Sequence, residues 1–224
     1  MLKGQITITR WIQKKMKIIF DHKSGHVIDN KVFCEAWVKP EGESEDFLLE
    51  NGWLPAQPPV YWYQSQSVRI NHQKVELDKK QLKTFKIVGL EIFEYNCQES
   101  VDKFFSDFFE TKKFEMKDFY EKNSQYFKLQ VMCLTIGDRV VGYTRFLQFE
   151  NSLLGFESAY ALDLPKHSLG KNSILLLSHY AKEKGIDFLY IYEAYKDFFP
   201  HKFEITGVEV WDGEKWVDPE YLSS

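Results

Sequence analysis

The residues best suited to chemistry lie between Phe156 and Pro200, in the stretch FESAYALDLPKHSLGKNSILLLSHYAKEKGIDFLYIYEAYKDFFP. A turn, His167-Ser168-Leu169-Gly170-Lys171, separates a strand pattern from an amphipathic helix pattern. Backbone N–H groups at such a helix start, with a glycine allowing close approach, can hold an anion or the oxyanion of an acyl transfer. A serine in that position also serves as a plain helix cap. Downstream, Tyr190 and Tyr192 alternate with Leu189 and Ile191, so the two phenols share one face of a strand. Glu193, Tyr195 and Lys196 follow at the end of that strand, where side chains typically line a cleft. A phenol can protonate a leaving oxygen, and a lysine can contact phosphate or carboxylate. A carboxylate such as Asp163 or Glu193 can accept an amine proton or bind an ammonium. The same residue types also pack as core aromatics, salt bridges and caps.

These groups need elements to hold them. Residues 17–21 and 31–38 read as strands around a turn at Ser24-Gly25. Ser44 opens SEDFLLENG, a short capped helix stopped by Gly52. Pro55, Pro58 and Pro59 make an irregular connector, and residues 60–71 alternate like one strand. A basic segment at 79–86 precedes a strand, IVGLEIFEY. Phenylalanines at helical spacing in 101–109 and 117–126 suggest a helical pair. Strands follow at 127–136, 139–149 and 154–162, with a hairpin turn at Gly137-Asp138. A helix over 173–184, a buried strand over 188–192 and a hairpin turning at Asp212-Gly213 complete the chain. The order predicts an α+β or mixed α/β layer: a central, mostly antiparallel sheet flanked by helices, with one parallel pair closed by a helix. A lobe over residues 1–55 is expected to precede a catalytic-type domain over 56–224.

Composition limits the alternatives. The chain has 224 residues and a formal net charge of -4, so no global positive field recruits nucleic acid, and any RNA contact needs a local patch. Lys79, Lys80, Lys83 and Lys86 form such a patch, or else a solvated helix face. The aromatic share of 17% suits an aromatic-rich core, or exposed rings that stack on a substrate. Cys34, Cys97 and Cys133 lie too far apart for a metal or disulfide framework, which leads us to expect no metal and a cytoplasmic setting. Charges interrupt the first twenty residues every few positions, so neither a signal peptide nor a membrane span is expected there. The six histidines are scattered and no nucleophile elbow occurs, so metal-assisted and Ser-His-Asp hydrolysis find no support.

Several separated boxes, in order, resemble the arginyl- and leucyl-tRNA–protein transferases. LLENGW (48–53) is similar to that family's Gly-Trp box, and YWYQSQSVRI (61–70) to its Tyr-containing strand leading to an Arg-Ile pair. KKQLKTFK resembles its basic, Gln-containing helix. SAYALDLPKHSLGKNSILLLSHYAKEKGIDFLYI resembles its Ser-Leu-Gly core, and YKDFFP (195–200) its Tyr-Lys and Pro box, with Trp211 or Trp216 as the late tryptophan. The resemblance implies an acetyltransferase-like fold and an aminoacyl-tRNA donor with no further cofactor. It also implies transfer to the N-terminal amine of a protein or peptide. It implies that Arg69, Ser168, Leu169, Gly170, Tyr192, Lys196 and Phe199 line the donor pocket, beside Tyr195. The family's N-terminal cysteine cluster is missing, so no iron–sulfur control follows, and the segment before the Tyr-Lys box is shortened.

On this reading Ser168 to Gly170 hold the oxyanion, Asp163 or Glu193 takes the amine proton, and Tyr195 protonates the departing ribose oxygen. Lys79, Lys80 and Lys83 grip acceptor-stem phosphates. A coenzyme A-dependent N-acyltransferase on the same fold is the alternative, although the turn carries Gly170 without the second spaced glycine usual in such enzymes. A non-catalytic module that binds a peptide terminus or RNA is the remaining reading.

Overall fold

Strands buried on both faces dictate the layers. In LQVMCLTI, Val131 and Cys133 point to one side of a sheet and Met132 and Leu134 to the other, and all four are buried. Such a strand needs a cover on each face. The computed structural model describes residues 17–28, 31–55, 61–113, 128–193 and 200–223. It contains an eight-stranded sheet with cover on both sides and a smaller four-stranded sheet.

The small sheet comprises β1 (Lys17–Ile28), β2 (Lys31–Lys39), β3 (Trp53–Pro55) and β4 (Trp62–Gln64), in the order β1-β2-β4-β3. β1 runs through Ser24-Gly25 to Ile28, and the turn expected there is instead a register irregularity between Asp21 and His26. Helix α1 (Glu45–Glu50) starts at Ser44, whose hydroxyl accepts from the Phe47 N–H. The boundary expected after residue 55 falls inside this sheet, between β3 and β4.

The large sheet follows the order β12-β11-β5-β10-β9-β8-β7-β6. Its members are β5 (Ser67–Asn71), β6 (Val88–Glu94), β7 (Leu129–Ile136), β8 (Arg139–Gln148), β9 (Ser152–Tyr160), β10 (Phe188–Glu193), β11 (Val208–Trp211) and β12 (Trp216–Val217). All neighbouring pairs are antiparallel except β9 and β10, so the α+β expectation holds. The single strand expected over 60–71 is two strands, β4 and β5, which part at Ser65-Gln66 and join different sheets.

Helices α2 (Lys79–Ile87), α3 (Glu99–Lys112), α4 (Leu169–Glu183) and α5 (Pro200–Phe203) complete the architecture. One face of the sheet packs Phe146, Leu153 and Leu189 against Leu175, Leu176, Leu177 and Ala181 of α4. The opposite face is shared. Leu154 and Tyr190 meet Trp53, Leu54 and Trp62 of the small sheet, while Val131 and Tyr143 meet Val101 and Phe105 of α3. The expected helix at 117–126 lies outside the described residues.

Candidate functional site

The site begins where a parallel pair stops pairing. β9 and β10 run side by side from Ser152–Leu154 against Phe188–Tyr190 and pair no further. Beyond that point β9 stays with β8 as far as Tyr160, and β10 stays with β5 as far as Glu193. Each strand also carries an irregularity at the fork. Phe156 is an extra residue between Gly155, opposite Phe146, and Glu157, opposite Arg145. In β10 the register shifts between Tyr190 and Glu193, and Tyr192 takes φ +62, a left-handed backbone uncommon for a non-glycine residue. The two bulged side chains meet across the fork, with ring centroids of Phe156 and Tyr192 at 5.1 Å. Divergence at the carboxyl ends of parallel strands opens a crevice with free backbone groups, the usual place for a ligand in such sheets.

Four side chains furnish the β10 end of this fork. The Tyr192 hydroxyl is buried, and burial above all pushes its pKa well above that of a free phenol, with Tyr63, Glu193 and Glu157 adding to the effect. Glu193 accepts a hydrogen bond from Tyr63 Oη at 3.2 Å, so β4 of the small sheet reaches the site. Lys202, on α5, donates from Nζ to the carbonyls of Ile191 at 2.7 Å and Glu193 at 2.8 Å. Burial lowers its pKa to about 8, against the opposing pull of Glu193. Tyr195, Lys196 and Phe199 lie outside the described residues.

The turn before α4 stands beside the C-terminal end of β9. The helix starts at Leu169, four residues before the expected start, and so takes Leu169 and Gly170 into its first turn. Ser168 sits at φ 47, and its side chain does not cap the helix. Its hydroxyl instead accepts from Lys80 Nζ at 3.3 Å. The first backbone bond of the helix runs from the Asn172 N–H to the Ser168 carbonyl, which leaves the N–H groups of Leu169, Gly170 and Lys171 as the usual free donors of a helix start. Gly170 lets the Tyr160 ring lie close against the helix start: a Cβ there would stand 2.7 Å from Tyr160 Cε1, so a larger residue would need that ring to move. Lys79, Lys80, Lys83 and Lys86 are exposed on α2, whose capping box joins Asp78 and Gln81.

Two expected site residues are committed elsewhere. Arg69 pairs with Tyr190 in the ladder, but its guanidinium is stacked 3.7 Å over the Phe188 ring and 4.5 Å from the Trp216 ring, and its Nε bonds Glu209 at 2.7 Å. It braces β5, β10 and β11 next to the fork. Asp163 is exposed and held bidentate by Arg139 at 2.8 Å to both nitrogens, a bond that lowers its pKa. Such a carboxylate is a weak proton acceptor. Sequence reasoning missed Tyr63 and Lys202, and also a buried Arg145 near Asp102 and Glu157 at the junction of α3 and β9. No local motif marks any of them. Among the described residues, no group of three or more His, Cys, Asp or Glu side chains is placed to hold a metal, and no helix is long and apolar enough to cross a membrane.

No family model and no curated protein matches the chain. Solved structures do. One is the C-terminal domain (DUF2156) of a protein assigned as a lysylphosphatidylglycerol synthetase from Agrobacterium fabrum: 10% identity, TM-score 0.45, covering 58% of this chain and 46% of that one. L-PGS from Bacillus licheniformis is similar at 11% identity and TM-score 0.44, again over 58% and 46%. An aminoglycoside acetyltransferase from an uncultured soil metagenomic sample aligns at 17% identity and TM-score 0.39 over 54% of this chain and 86% of its own. The chain thus spans less than half of the first two structures. None of these three is an arginyl- or leucyl-tRNA–protein transferase, and likeness at these values transfers neither activity nor residue roles.

Proposed function

We propose that the protein is an acyltransferase that moves an aminoacyl group from charged tRNA to the N-terminal amine of a protein or peptide. The observation that carries this reading is the fork where β9 and β10 stop pairing, with the N–H groups at the start of α4 brought to the end of β9 by the contact of Tyr160 with Gly170. An ester carbonyl lying in the fork would meet donors on one side and the Glu193 carboxylate on the other. One further feature favours a tRNA donor: the Lys80 contact with Ser168 joins the basic face of α2 to the turn before α4. A cytoplasmic setting goes with that donor.

The reaction then needs little beyond positioning and charge stabilisation. The neutral amine attacks the ester carbonyl, the C–N bond forms, and the oxyanion leans on the first-turn N–H groups of α4. The C–O bond to the ribose breaks. Glu193 receives the amine proton, and Tyr195 supplies a proton to the departing ribose oxygen. Asp163 has no part, because Arg139 holds it as a carboxylate of low basicity.

The test is transfer of radiolabelled amino acids from total charged tRNA to peptides of varied N-termini. Label in peptide, lost after RNase treatment, is the expected result. Glu193→Gln should reduce kcat by about 10²-fold, the usual loss when a general base is removed, and leave the thermal midpoint nearly unchanged. Absence of label with every amino acid, alongside acetylation of the same peptides from acetyl-CoA, would overturn the tRNA donor.

A further inference from the structure

The short helix α5 is anchored to the site from two sides. Lys202 donates to the carbonyls of Ile191 and Glu193, the residues on either side of the left-handed Tyr192. Lys171, in the first turn of α4, donates to the Glu204 carbonyl at 3.0 Å, just past the end of α5. Ile205 lies in the core beneath α4 and the partly buried Phe203 packs against it. Lys202 is half-buried, and a lysine drawn out of water is costly to place unless its charge has partners. Here its partners include two backbone carbonyls that come after the last residue of β10 paired with β9.

We propose that Lys202 is a positioning residue for transfer: its ammonium clamps the bulged end of β10, holds the fork with β9 open and aims Glu193 at the bound ester. This rests on the transfer reading given above. Without the charge, the carbonyls of Ile191 and Glu193 would seek other donors, and the β10 end would shift. Among the described residues, Glu193 of β10 acts on the ammonium, with Tyr63 of β4 bonded to Glu193, and the Lys171–Glu204 pair at 3.8 Å stands on the α4 side. Glu193 favours the charged lysine, and burial opposes it. The clamp is therefore charged below about pH 8 and weakens above it. The rate gains from raising the pH through deprotonation of the acceptor amine, then falls as Lys202 loses its proton.

The experiment uses the full chain, unaltered and as Lys202→Met and Lys202→Arg. With turnover established for the unaltered protein, Lys202→Met should cut kcat by about tenfold or more, the size expected when a reacting group is misaligned. Its donor KM should stay within about threefold, because a clamp orients the ester without binding tRNA. The alkaline fall near pH 8 should vanish in Lys202→Met and move to higher pH in Lys202→Arg, whose guanidinium stays charged. An unchanged kcat and an unchanged pH profile in Lys202→Met would overturn the proposal. A silent unaltered protein would instead defeat the transfer reading, and the clamp would be judged on structure alone. A lysine-selective NMR titration should show one ammonium titrating near 8, and amide exchange at 189–193 should quicken in Lys202→Met. A titration at the ordinary lysine value would sink the clamp, whatever the exchange shows. The titration needs no variant, so it decides even where Lys202→Met does not fold.

Discussion

At the scale of the residue, the most demanding position is Gly52. Its φ is +76, and a Cβ there would lie 2.4 Å from the Trp211 ring. Around it, the Gly52 carbonyl accepts from Ser67 Oγ at 2.7 Å and the Glu50 carbonyl accepts from Trp216 Nε1 at 2.7 Å. Gly185 has nearly the same backbone, φ +74, with nothing within 4 Å of its Cβ position. The pair separates strain from clash. Gly185→Ala should cost about 1 kcal/mol, the ordinary penalty of a left-handed alanine. Gly52→Ala should cost about 3 kcal/mol, since overpacking against a fixed ring adds to that penalty. Chemical denaturation of both variants checks the difference, and equal losses would show that the ring yields. The Gly-Trp box was legible in sequence as 48–53, but its reason was not, because the ring that needs the glycine lies about 160 residues away. Lys202 was hidden for a related reason. Lysine in a polar-looking tail gives no sign of burial, and only the carbonyls of β10 reveal its task. The position of Tyr192 and Glu193 at the end of a buried run was legible from the strand pattern.

At the scale of the element, patterns that repeat within a few residues were readable, and those set by partners were not. The parallel strand–helix–strand unit followed from two apolar runs around an amphipathic helix. The division of residues 60–71 into two strands did not follow, since both halves alternate alike and differ only in the sheet that receives them. Start signals were also uneven. Ser168 was read as a possible cap, but it is left-handed and its side chain makes no cap bond, and α4 starts at Leu169, ahead of the expected 173; α2 begins on a full capping box. In that box Asp78 Oδ1 accepts from the Gln81 N–H, and Gln81 Oε1 accepts from the Asp78 N–H, both at 2.7 Å. Asp78→Ala should destabilise α2 by about 1 kcal/mol. Since α2 carries Lys80 to Ser168, fraying of its first turn should also weaken tRNA binding more than it weakens the fold. Binding of charged tRNA at several salt concentrations checks this. Equal affinity and equal salt slope for Asp78→Ala and the unaltered protein would separate α2 from donor binding.

At the scale of the whole molecule, His72 links pH to stability. It is 2% exposed, sits where β5 hands over to α2, and bonds Ser178 of α4 through Nδ1 at 2.7 Å, while its Nε2 is buried with no partner among the described residues. Burial chiefly lowers its pKa from 6.5 to about 4, Lys182 lowers it further, and Asp187 pulls the other way. The folded chain therefore holds this ring neutral where the unfolded chain would protonate it. A depressed folded value means that the stabilisation is fully present above about pH 6.5 and is lost as pH falls, with the loss complete near pH 4. The shift corresponds to about 3 kcal/mol between those limits. Paired carboxylates whose pKa values are lowered, such as Glu209 beside Lys74 and Arg69, add acid sensitivity at lower pH, so the comparison must be made against a variant. His72→Gln keeps a hydrogen-bonding group for Ser178 and cannot titrate. Denaturant midpoints for the two proteins should run parallel above pH 6.5 and converge or cross between 6.5 and 4, as only the unaltered chain loses stability through the ring. Parallel slopes throughout would mean that the β5–α4 junction opens to solvent before the imidazole charges, and that His72 is not a stability-determining group of this fold.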